Sequence, residues 1–87
     1  MLIQGGSPIN LVASGAISLV PGQLLGFYVN STGGGTLVLR DGGAAGTAIT
    51  GTITPAIGWN AAPFQFSLSA YATITGTINI TFAFQPS

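Results

Sequence analysis

The chain has 87 residues, 47% of them hydrophobic but only 2% charged, against roughly 25% charged in an average soluble domain. Arg40 and Asp41 are the only ionic side chains, and Lys, Glu, His and Cys are absent. This inventory excludes disulfides, multi-ligand metal sites and phosphate-tracking surfaces, offers no His, Lys or Glu to activate a Ser or Thr hydroxyl and leaves Asp41 alone for acid–base work, so neither an enzyme nor a cofactor-binding or nucleic-acid-binding protein is expected.

Read in chain order, residues 1–8 form a candidate N-terminal arm, and Met1 to Gly6 has no basic stretch that would mark a secretory signal. Leu11 to Val29 is uncharged and long enough to span a bilayer as a helix. Pro21-Gly22, Gln23 and the missing Lys or Arg flanks argue against that reading, and no membrane partner is expected. Ile17 and Leu19 alternate with Ser18 and Val20 as a short strand. In Gln23 to Asn30, Leu25, Phe27 and Val29 are assigned to one face and Leu24 and Tyr28 to the other. A strand apolar on both faces is covered on both, and here the second cover is expected to be another chain. Leu37 and Leu39 oppose Val38 and Arg40.

Ile49-Thr50-Gly51-Thr52-Ile53 recurs as Ile74-Thr75-Gly76-Thr77-Ile78. Two copies are too few for a solenoid, so they read as two similar edge or hairpin features. Trp59-Asn60, between Gly58 and Pro63, is assigned to a loop. Phe64, Phe66, Leu68 and Ala70 alternate with polar residues. So do Ala72, Ile74, Gly76, Ile78, Ile80, Phe82 and Phe84, against a row of Thr and Asn. One strand of that length would reach about 40 Å, which predicts a turn or bulge at Thr75-Gly76. Turn residues also punctuate the chain at Pro21-Gly22, Thr32 to Gly35, Asp41-Gly42-Gly43 and Ile57-Gly58. The expected fold is all-β: a single compact antiparallel sandwich over residues 1–87, jelly-roll-like, with seven or eight short strands.

A neutral surface with so little charge promotes association, so a homo-oligomer or a place in a larger assembly is expected. The candidate subunit interface comprises Leu24, Tyr28, Val38, Arg40, Trp59 and Tyr71. Arg40 and Asp41 are expected on opposite faces of a strand and unpaired, with Asp41 serving the turn that follows it. Trp59 is either an interface anchor or a cap on the open end of the core. Thr50, Thr52, Thr54 and Thr73, Thr75, Thr77 have a spacing compatible with ordered water or ice. They are also what ordinary solvent-facing strands contain. Aromatic residues with Asn60 would suit a sugar ring, which makes a carbohydrate- or surface-binding module the alternative reading.

The runs Gly22-Gln23-Leu24-Leu25-Gly26-Phe27-Tyr28-Val29-Asn30-Ser31-Thr32 and Gly35-Thr36-Leu37-Val38-Leu39-Arg40-Asp41-Gly42 resemble small structural proteins of tailed bacteriophages. Gly51-Thr52-Ile53-Thr54-Pro55-Ala56-Ile57-Gly58-Trp59 and the closing Tyr71 to Phe84 extend that resemblance over most of the chain. It implies a β-sandwich on the virion: a capsid decoration, cement or knob protein, often trimeric, whose partner is the major capsid protein or another virion protein. It carries no residue motif that assigns a role to a position.

Overall fold

The structure, a computed structural model, describes residues 7–86. Eight strands follow one another: β1 (Ser7–Leu11), β2 (Gly15–Ser18), β3 (Gly22–Thr32), β4 (Thr36–Asp41), β5 (Thr47–Ala48), β6 (Gly58–Phe66), β7 (Ala70–Thr75) and β8 (Ile78–Pro86). They form two four-stranded antiparallel sheets, A in the order β1-β8-β3-β6 and B in the order β2-β7-β4-β5. Within the sheets β1 pairs with β8, β2 with β7, β3 with β6 and β4 with β5. That mirror pairing is a long hairpin rolled up on itself, the strand order of a jelly roll. Of the expected N-terminal arm, residues 1–6 lie outside the described residues, while Ser7 and Pro8 belong to β1.

The core is what the alternation supplies. Ile78, Ile80, Phe82 and Phe84 of β8 point inward, as do Leu37 and Leu39 of β4 and Ala70 and Ala72 of β7. Phe27 faces Phe82 in register, with ring centroids 5.7 Å apart and planes tilted by 53°. Phe66 and Phe84 make a second tilted pair at 6.2 Å. Tilted contacts of this kind suit the quadrupoles of aromatic rings. No polar side chain is buried among the described residues, so the core has no desolvated polar side chain to satisfy.

The expected turn falls at Gly76, whose φ of +84° suits a residue without a Cβ. It takes the chain from β7 in sheet B to β8 in sheet A. Even-numbered residues face the core on both sides of this corner, so one unbroken alternation serves two sheets. The two copies of the Ile-Thr-Gly-Thr-Ile echo adopt different structures. The second is this corner. The first runs irregularly beside β4, with Ile53 exchanging backbone hydrogen bonds with Leu37 (2.9 and 2.8 Å) and Thr50 Oγ1 accepting from Leu39 N at 3.1 Å. Ile74 and Ile53 therefore flank Leu37 from opposite sides.

Four assignments change. Leu24 is fully buried, with Phe27 and Val29, because the β3–β8 register shifts between Leu24 and Gly26. The extra residue, Leu25, is a bulge that resets the alternation, so Leu24 is a core residue and cannot belong to the interface. Leu19 and Leu68 are exposed rather than inward, because β2 ends at Ser18 and β6 at Phe66. Trp59 is the second residue of β6 and not part of a loop. Pro63 is tolerated in β6 because β6 is an edge strand and has its own register shift there. The span Leu11 to Val29 folds as β-strands and turns, and no helix among the described residues is long and apolar enough to cross a membrane.

Phe82 is fully buried at the centre of the core. Phe82→Ala is expected to cost about 3–5 kcal/mol, most of the stability of so small a domain, measured as a fall in the urea midpoint.

Candidate functional site

Both sheets end together at the edge defined by the pairings Gly22 with Phe66 and Pro86, and Ala70 with Ser18 and Asp41. Three turns meet there: β2–β3, β4–β5 and β6–β7. The first carries Leu19 (84% exposed) and Val20 (49%), and the third carries Leu68 (65%). Asp41 fastens this end. Its Oδ2 accepts hydrogen bonds from Ser67 N (3.0 Å) and Ser67 Oγ (2.9 Å), and its Oδ1 from Leu68 N (2.9 Å) and Ser69 N (3.3 Å). Gly42 N donates to Ser69 O at 3.2 Å. Asp41 thus serves the β6–β7 turn, a segment distant in sequence, as well as ending its own strand. The backbone N–H groups of Ser67 and Leu68, foremost among these donors, hold its carboxyl below the ordinary carboxylate value.

Arg40 and Asp41 do not pair. Arg40 Nε donates to Thr73 Oγ1 at 3.0 Å and Nη1 to Gly46 O at 3.2 Å, tying the β4–β5 turn to the outer face of sheet B. Arg40 lies in register with Tyr71 and Val38 with Thr73. Arg40, Val38 and Tyr71 therefore share that face, and all three are half-buried.

Tyr28 and Trp59 lie on the opposite side of the molecule, paired in register on the outer face of sheet A. They are 48% and 57% exposed. The Trp59 indole lies against Gly26, where a Cβ would come within 2.5 Å of its Cζ2. It therefore covers the sheet rather than capping the end of the core. Tyr28 is also in register with Thr81, and Thr81 with Asn10, so Asn10, Thr81, Tyr28 and Trp59 form one row across all four strands. Asn10 Nδ2 donates to Asn79 Oδ1 (2.7 Å), Ile80 O (3.1 Å) and Thr81 Oγ1 (3.1 Å). Asn30 Nδ2 donates to Asn79 Oδ1 and Thr81 Oγ1, both at 3.2 Å. Further along the same face, Gln65, Gln23 and Gln85 stand in register and line a groove of about 390 Å³ with Gly22, Pro63 and Pro86.

The six residues expected to form one interface are thus distributed over the core and two opposite faces. The amide cluster and the leucine-bearing end were missed because they join residues about 70 and about 27 positions apart. The only signal in the sequence was the outward parity of Asn79 and Thr81. Neither threonine row forms a flat array: Thr50 is spent on Leu39 N, and the row from Thr73 to Thr77 turns the corner at Gly76. No cluster of metal-ligating side chains occurs among the described residues. No protein-family model, curated protein or solved structure matches the chain.

Because its folded pKa is depressed, the stabilisation from Asp41 is complete above its unfolded value of about 3.9 and is lost as pH falls through the folded value. Thermal melts are expected to show a flat midpoint near neutrality and a fall at acid pH. Asp41→Asn lowers the neutral midpoint and removes the acid limb, since it leaves no side-chain carboxyl to titrate.

Proposed function

We propose that this protein is a virion structural protein: a capsid decoration (cement) protein that assembles as a homotrimer and binds the major capsid protein lattice of a tailed bacteriophage at the capsid surface. The supporting observation is the end of the sandwich at which Leu19, Val20 and Leu68 stand exposed on two turns, one of them held by the chain's only acidic side chain. With one cation and one anion, both already hydrogen-bonded within the protein, the surface has little charge with which to pair with a partner. Its contacts draw instead on apolar burial, about 1.5–3 kcal/mol for each leucine or valine taken fully out of water. A few such contacts are weak singly, and repetition on a symmetric lattice makes them firm. The jelly roll serves viral capsid and lectin domains alike, so the fold admits this role without selecting it.

Co-sedimentation of the purified protein with undecorated heads tests the reading. Binding is expected to persist from low salt to roughly 1 M, where screening removes ionic contacts, and light scattering is expected to give a trimer. Leu19→Ser and Leu68→Ser should each weaken capture by about tenfold or more while leaving stability within about 0.5 kcal/mol. Release by salt, or a monomer that ignores the heads, overturns it.

A further inference from the structure

The outer face of sheet A has a chemistry that the leucine-bearing end lacks. Trp59 and Tyr28 are half-exposed aromatic rings side by side. Beside them Asn10 and Asn30 spend their Nδ2 groups on Asn79 Oδ1 and Thr81 Oγ1. Those bonds fix the orientation of the amides and leave specific atoms unspent: the Oδ1 of Asn10 and Asn30 as acceptors, and the Nδ2 of Asn79 as a donor. A flat apolar partner would bury these groups unpaired, at the full desolvation cost. A nucleic-acid strand would stack on the rings but finds no cation on this face to hold its phosphates. Hydroxyl groups, which both donate and accept, satisfy all three amides, and the C–H face of a sugar ring is apolar enough to lie on an indole.

We propose that this face is a binding site for a neutral oligosaccharide, with one sugar ring stacked on Trp59 beside Tyr28 and the hydroxyls of the units that follow it along the row read by Thr81, Asn30, Asn79 and Asn10. The row spans four strands, about 14 Å at the usual strand spacing, so it accommodates more than one sugar unit. The site lies apart from the leucine-bearing end, so it stands or falls independently of the capsid reading.

The test is a glycan array that carries neutral glucans, galactans and N-acetylhexosamine oligomers beside sialylated and sulfated glycans, probed with the labelled full-length protein. The expected result is retention on neutral glycans that survives roughly 1 M salt. Trp59→Ala should lower it by about tenfold or more, as expected for a central aromatic anchor, and Asn30→Ala should lower it as well. Trp59→Phe, which keeps a flat ring, should retain most of it. Thermal melts show whether each variant is folded. The proposal is overturned if no neutral glycan is retained or if Trp59→Ala binds as the parent does. It also fails if Trp59→Ala alters the oligomeric mass instead, which would make this face a subunit contact.

Discussion

The alternation of β3 changes phase between Leu24 and Phe27, and the two sides of the molecule depend on that change. Without the bulge at Leu25, either Leu24 or the pair Phe27 and Val29 would be turned to solvent. With it, all three enter the core, and Phe27 meets Phe82 in register. The same reset fixes what stands outside. Tyr28 is outward because Phe27 and Val29 are inward, and Gly26 is placed where the Trp59 indole can lie against the sheet. A side chain on Gly26 would push the ring away. Packing inside sheet A and the aromatic surface outside it are therefore two results of one inserted residue.

The two ionic side chains act on the protein itself. Asp41 gathers three backbone N–H groups and one hydroxyl of the β6–β7 turn, and Arg40 ties the β4–β5 turn to β7 through Gly46 and Thr73. Both act near the end of the sandwich that carries Leu19 and Leu68. Turns of this length are usually among the more mobile parts of a domain. Here a carboxylate with four donors holds Leu68 at a defined place over Gly42, so an exposed apolar side chain is displayed on a fixed backbone. A surface held in this way has less conformational freedom to lose in any contact it makes.

The sequence made the sandwich legible where alternation was long and uninterrupted. Ala72 to Phe84 showed its inward face and its corner at Gly76, and Leu37 and Leu39 showed theirs. It failed where a local event broke the period. A bulge moved Leu24 inward, strand ends left Leu19 and Leu68 outside, and an edge position let Pro63 lie within a strand where Gly58 and Pro63 had pointed to a loop. The candidate surfaces were harder still. That Asn79 and Thr81 point outward follows from parity. That they meet Asn10 and Asn30 follows only from the order β1-β8-β3, which no local pattern encodes. The partner of Asp41 is of the same kind, because Gly42-Gly43 offered a nearer turn for it to serve.

The outermost strands differ from the central ones in a further way. β1 contains Pro8, β2 has four residues and a register shift, β5 has two residues followed by the irregular path of Ile49 to Ile53, and β6 is interrupted at Pro63. Most proteins discourage stray strand pairing with a lysine on the rim, and this one has none. Short, bent or proline-bearing margins offer few consecutive free amides to an incoming chain. An almost uncharged molecule can then crowd against its own copies without its sheets fusing into fibrils, and shape does the work that repulsion does elsewhere.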